Sequence, residues 1–139
     1  MRFIYVALVL VSALMASTMY AAATPAPIAH ITKVDWPDSE IHTNSITIMV
    51  TVKNTGAETA TFNAKFAIQD PNGKWYEGDC NGNFVHSGKE TVFYPGIEIL
   101  HSMPAGHYNA RVVLYGDYCF VNKLDTVTKE SAFQLYPRA

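Results

Sequence analysis

Two cysteines are the only thiols in this 139-residue chain, and each closes a similar string: "WYEGDC", Trp75 to Cys80, and "LYGDYC", Leu114 to Cys119. Such a pair could hold a metal, cycle as a redox couple or form a structural bridge. The first two uses favour Cys-x-x-Cys spacing, which is absent. The five histidines, His30, His42, His86, His101 and His107, include no His-x-His or His-x-x-x-His pair that would set two imidazoles on one face. "HSMPAGH" gathers His101, Met103 and His107, a soft set suited to copper. "DPNGKWYEGDCNGN" offers Asp70, Asn72, Glu77, Asp79 and Asn81 as oxygen ligands for calcium. Both segments read more simply as loop and turn chemistry, because neither spacing matches a metal-binding loop. No metal and no cofactor is expected.

Catalysis is tested the same way. No Gly-x-Ser-x-Gly elbow or Cys/His signature is present. Paired carboxylates for glycoside hydrolysis could come from Glu77, Asp79, Asp117 and Asp125, but acidic loop residues are ordinarily solvated. The chain is expected not to be an enzyme, with no catalytic residue assigned.

The elements that must position these groups begin after an export signal. "MR", the apolar run "FIYVALVLVSALMA" and the small-residue exit "YAAATPAP" are the three regions of a secretory signal peptide. Residues 1–23 are assigned to it, with cleavage after Ala23; residues 24–36 form a leader and first edge strand, and 37–139 the domain proper. Without Arg2 the product carries nine Lys+Arg against twelve Asp+Glu, a net charge of −3 against −2 for the whole chain. No Lys/Arg cluster marks a nucleic-acid partner, and no stable membrane anchor is expected. The expected location is extracellular, or a periplasmic or endolysosomal lumen. In such an oxidising compartment the two cysteines are best read as one disulfide, Cys80–Cys119. That bond would place the loop after "KWYEG" and the loop after "RVVLYGD" at one end of the fold, with Tyr76, Tyr115 and Tyr118 around it.

Strand signals dominate the rest. "SITIMVTVKNTG" sets Ile46, Ile48, Val50 and Val52 on one face, a period of two with one side buried. "TATFNAKFAIQD" repeats it with Phe62, Ala64, Phe66 and Ile68, and "DPNGK" supplies a hairpin turn. "GHYNARVVLYGD" alternates through Tyr108, Ala110, Val112 and Leu114, and "ESAFQLY" would bury Phe133 and Leu135. Short strands are expected in "GNFVHSG" and "ETVFYPGIEIL". About seven strands and no helical stripe in the domain argue for an all-β fold, an immunoglobulin-like antiparallel β-sandwich.

Two family resemblances follow from these segments. "PGIEILHSMPAGHYNARVVLYGD", with Pro104, Gly106 and Tyr108 opening a long strand and Cys80 and Gly82 upstream, resembles the late part of the MD-2-related lipid-recognition (ML) family. That likeness implies a lipid or sterol carrier or sensor, the ligand held between two splayed sheets. Phe62, Phe66, Ile68, Val112, Leu114 and Phe133 would line the cavity, and Trp75, Tyr76, Tyr115 and Tyr118 its rim. "ITIMVTVKNTGAETATFNAKFAIQDPNGKW" is similar instead to CARDB-type and other immunoglobulin-like adhesion modules. That likeness implies an extracellular protein- or carbohydrate-interaction module with a filled core. The partner is expected to be an apolar small molecule in the first case and an extracellular protein or glycan in the second. The two differ in one physical property: whether the space between the sheets is hollow or packed.

Overall fold

The computed structural model describes residues 28–137; the expected signal peptide lies outside the described residues. Ten strand segments follow one another: β1 (Ala29–Asp35), β2 (Glu40–Ile41), β3 (Ser45–Thr47), β4 (Met49–Asn54), β5 (Ala60–Gln69), β6 (Trp75–Val85), β7 (Glu90–Phe93), β8 (Gly96–Glu98), β9 (Gly106–Tyr115) and β10 (Lys123–Leu135). One layer is the sheet β1-β4-β7, continued by the pair β3-β8; the other is the sheet β2-β10-β9-β5-β6. The Ile48 amide donates to the Pro95 carbonyl (3.1 Å), which carries β3 into β4 and β8 into β7. The segments therefore merge into seven long strands plus the two-residue β2, and the fold is the expected all-β sandwich. One pairing departs from the antiparallel rule: β2 runs parallel to β10. After Pro37 the chain leaves the first layer and adds this short strand to the edge of the second.

The period-two pattern sorts the side chains. Ile46, Ile48, Val50 and Val52 from one layer face Phe62, Ala64, Phe66, Ile68, Tyr108, Ala110, Val112, Leu114, Phe133 and Leu135 from the other, in one contiguous buried cluster. Tyr108 and Phe133 stack with ring centroids 5.2 Å apart. Asn54, a polar residue at the end of β4, is buried. Its Nδ2 donates to the carbonyls of Glu58 and Val85 (2.8 Å each), and its Oδ1 accepts from the Gly56 amide (2.8 Å). One side chain thus joins the β4–β5 turn to the end of β6, with both of its donors and its acceptor oxygen engaged.

"MPAGHY" has a structural task as well. The Tyr108 hydroxyl donates to the Pro104 carbonyl (2.5 Å), the tyrosine corner of Greek-key sandwiches. Gly106 makes the bend, at φ 134°, and a Cβ there would lie 2.7 Å from Pro71 Cγ. Burial pushes the Tyr108 phenol up to about 12, helped by the nearby Asp70 charge. The folded chain therefore keeps this proton where the unfolded chain loses it. The associated stability is complete below pH ~10 and is lost as pH rises through the folded value. Tyr108→Phe is expected to cost about 1–2 kcal/mol at neutral pH, by stranding the Pro104 carbonyl. It should also flatten the alkaline fall in stability, as urea unfolding at a series of pH values will show.

Candidate functional site

The outward face of the five-stranded sheet is built from alternate residues of β5, β6 and β9. Ladder partners lie side by side, so Glu77, Ala67 and Arg111 form one row, and Cys80, Lys65 and Val113 the next. From Glu77 to Cys80 β6 advances by three residues where β5 advances by two, a bulge at Gly78–Asp79. Bulges re-aim side chains, and this one turns both Glu77 and Cys80 outward. The Glu77 carboxylate then meets Arg111 (Oε1 to Nη2, 3.2 Å) and Lys65 (Oε2 to Nζ, 3.7 Å). The Arg111 guanidinium lies 4.1 Å from the Trp75 ring centroid, and Lys65 Nζ lies 3.7 Å from that of Phe120. A charged ladder capped at both ends by aromatic rings covers the sheet.

Phe120 belongs to the β9–β10 connection, which folds back across β5. The disulfide Cys80–Cys119, with Cα atoms 6.1 Å apart, ties it to β6. The Gly116 amide donates to the Asn122 carbonyl (2.9 Å), the Val121 amide to the Tyr118 carbonyl (3.0 Å), and Asn63 Nδ2 to the Asp117 carbonyl. Phe120 and Asn122 take positive φ values of 71° and 54°, a strained state for non-glycine residues that such a tether can hold. The bond lies outside the core: Cys80 is exposed and Cys119 half-buried.

Each sequence-derived site residue has a place in this arrangement. Phe62, Phe66, Ile68, Val112, Leu114 and Phe133, the cavity candidates, are all buried members of the core cluster. None of them lines the surface grooves found at β3, β6 and β8 (about 530 Å³), at β1 to β4 (about 310 Å³) and beside the β9–β10 connection (about 620 Å³). Of the rim candidates, Trp75 stacks on Arg111, Tyr115 lies buried under Phe120 with centroids 5.9 Å apart, and Tyr118 projects into solvent. Tyr76 faces the opposite side of β6 and does not join the group expected around the disulfide. It packs against the core, and its hydroxyl donates to Asp70 Oδ2 (3.1 Å).

The expectation of two loops meeting at the disulfide holds for Cys119 only. "WYEGDCNGNFV" is one continuous strand, and Cys80 sits in its middle. Gly78 does not turn the chain; a Cβ there would stand 2.1 Å from the Gly96 carbonyl oxygen, so glycine lets the edges of the two layers touch.

Besides Glu77, two of the carboxylates expected as possible ligands or catalysts, Asp70 and Asp125, are engaged in holding the fold. Asp70 Oδ1 accepts from the amides of Asn72 (2.8 Å) and Lys74 (3.0 Å), organising the "DPNGK" turn. Asp125 Oδ2 accepts from the Ile31 amide (2.9 Å), closing the sandwich at the β1–β10 edge. Among the described residues no group of three or more His, Cys, Asp or Glu is arranged to hold a metal ion. Burial opposes the charge on Asp70, but the Lys74 amide, the Tyr76 hydroxyl, the Asn72 amide and the Lys74 charge outweigh it and lower its pKa. Its contribution to stability is present above pH ~4 and lost as pH falls through the lowered value. Asp70→Asn should therefore be less stable than the parent at pH 7, with the difference closing in acid; paired thermal melts at pH 7 and pH 2 will measure it.

No family model matches the chain, and no curated protein matches it in sequence. Solved structures do resemble it in fold. An alkylpurine DNA glycosylase of Pseudomonas fluorescens superposes with a TM-score of 0.52 at 16% identity, over 80% of this chain and 30% of that one. Beta-glucosidase 3B of Thermotoga neapolitana gives 0.52 at 11%, over 78% and 16%, and a β-glucosidase of Erythrobacter marinus 0.55 at 12%, over 79% and 16%. The likeness is one of fold. This chain spans less than a third of each of those chains. Among the described residues no helix is long and apolar enough to cross a membrane.

Proposed function

We propose that the chain is an exported, non-catalytic interaction module that binds an extracellular protein or glycan through the outward face of its five-stranded sheet. The observation that carries this reading is the aromatic and charged ladder from Trp75 to Phe120, held by the Cys80–Cys119 disulfide over a packed interior. A pre-ordered face spends little entropy on binding, and exposed aromatics beside arginine are the residue types that dominate binding energy. The six residues proposed to line a lipid cavity pack against one another and their neighbours in the core, which favours the interaction module over the lipid carrier. The same ladder favours binding over hydrolysis, since Glu77 is committed to Lys65 and Arg111.

The test compares three proteins for retention on intact cells and extracellular matrix of the source organism: the parent, a Trp75→Ser/Phe120→Ser variant, and a Thr51→Lys/Val92→Lys control on the opposite sheet. Retention should be lost in the first variant and kept in the control. Equal retention by all three would refute the assignment of the face. Recovery of a stoichiometric lipid by mass spectrometry of organic extracts from the purified protein would return the lipid-carrier reading.

A further inference from the structure

We infer that the groove between the β9–β10 connection and the start of β5 is a saccharide site, in which a neutral pyranose stacks on Tyr118 and directs hydroxyls to Asp117 and Thr61. This rests on the proposed function and names the ligand class of that face. The groove is open to solvent, spans about 620 Å³ and is lined by Ala60, Thr61, Asp117, Tyr118 and Val121. Tyr118 is 76% exposed. Phe84, 69% exposed, stands directly opposite Thr61 in the β5–β6 ladder, and Phe120, also 69% exposed, follows Tyr118 by two residues.

Exposed rings on a mobile loop would lose conformational entropy on binding; these sit on a segment fixed by the disulfide, by Asn63 and by the Gly116–Asn122 hydrogen bond. Among the described residues neither the Asp117 carboxylate nor the Thr61 hydroxyl has a hydrogen-bond or ionic partner, whereas the Asp117 backbone carbonyl is already taken by Asn63. The wall thus combines a flat apolar surface with an unused acceptor and an unused donor–acceptor, the complement of a sugar ring with C–H groups on one face and hydroxyls around its edge. An acyl chain would leave Asp117 and Thr61 desolvated without partners, at a cost. An anionic sugar is disfavoured as well. The groove presents a carboxylate and no cation, because Lys65 is held by Glu77 and Phe120.

The experiment uses the oxidised, exported protein and isothermal titration with cellohexaose, maltohexaose, xylohexaose and chitohexaose in its acetylated form. Hexagalacturonic acid and phosphatidylcholine vesicles serve as comparisons. At least one neutral hexasaccharide should bind, with amide shifts in two-dimensional NMR centred on residues 60–61 and 117–121. Tyr118→Ala should weaken that binding about tenfold and Asp117→Asn several-fold, while Thr51→Ala on the other layer leaves it unchanged. Each variant is first matched to the parent by melting temperature and oxidised-thiol count. Binding of none of the neutral sugars, binding of vesicles alone, or full affinity in Tyr118→Ala would overturn the inference. If the face variants lose retention on cells while every sugar fails, the interaction module stands with a protein partner and only the saccharide site falls.

Discussion

Replacing both cysteines by serine should lower the unfolding free energy by about 4 kcal/mol. The bonded residues are 39 apart in sequence, and the chain-entropy model gives a loop of that length close to this value. The term resides in the unfolded chain. Cys80 is exposed and Cys119 half-buried, so the substitution removes little buried surface, and the folded sandwich should keep its core. The loss should appear as an earlier urea midpoint. Hydrogen exchange in the same variant should accelerate first over residues 116–122, which lose their tether to β6. A fall of less than about 1 kcal/mol would mean that the denatured chain is already restricted across β6 to β9, leaving the bond little entropy to remove.

Phe66→Ala should cost about 3–5 kcal/mol, a large part of the roughly 5–15 kcal/mol that holds a domain of this size together. Phe66 lies on β5, between β6 and β9 in the sheet, and is fully buried in the cluster that joins the layers. Removing the ring strips contacts from both layers and leaves a void that a close-packed interior cannot fill by small shifts. The same variant separates the two binding readings. In a hollow carrier a shorter side chain on the cavity wall would be tolerated and would change ligand capacity; in a packed sandwich it lowers stability directly. Urea unfolding combined with lipid extraction of the variant gives both numbers from one preparation.

The strands of the core were legible because burial on one face of a sheet imposes a period of two. Ile46 to Val52, Phe62 to Ile68 and Tyr108 to Leu114 keep that period without interruption, and all of those inward positions are buried. The reading failed where the period breaks. Gly78 and Asp79 form a bulge in the middle of β6, and glycine next to aspartate carries the same composition in a bulge as in a turn. The local pattern therefore implies two strands with Cys80 in a loop between them, where the chain forms one. Tyr76 was grouped with Trp75 for a related reason. Adjacent strand residues point to opposite faces, so nearness in sequence separates them in space. The network of Lys65, Glu77 and Arg111 was missed altogether. Its members come from three strands, and only Glu77 is singled out by the local pattern, as an acid.

"PAGHY" has a structural role of its own. Those residues build a tyrosine corner, a device of Greek-key sandwiches with many functions, so the motif's place in the fold is explained without reference to a ligand.

By itself the sequence determined the class of fold, the inward residues of its long strands and the pairing of its two cysteines, since local periodicity and a count of two suffice for these. Only the tertiary structure decided that the inward residues pack on one another and that the β9–β10 connection lies across β5. It also decided which aromatic rings remain in solvent. Packing density and loop placement depend on how strands distant in sequence fit together, and no local pattern encodes that fit.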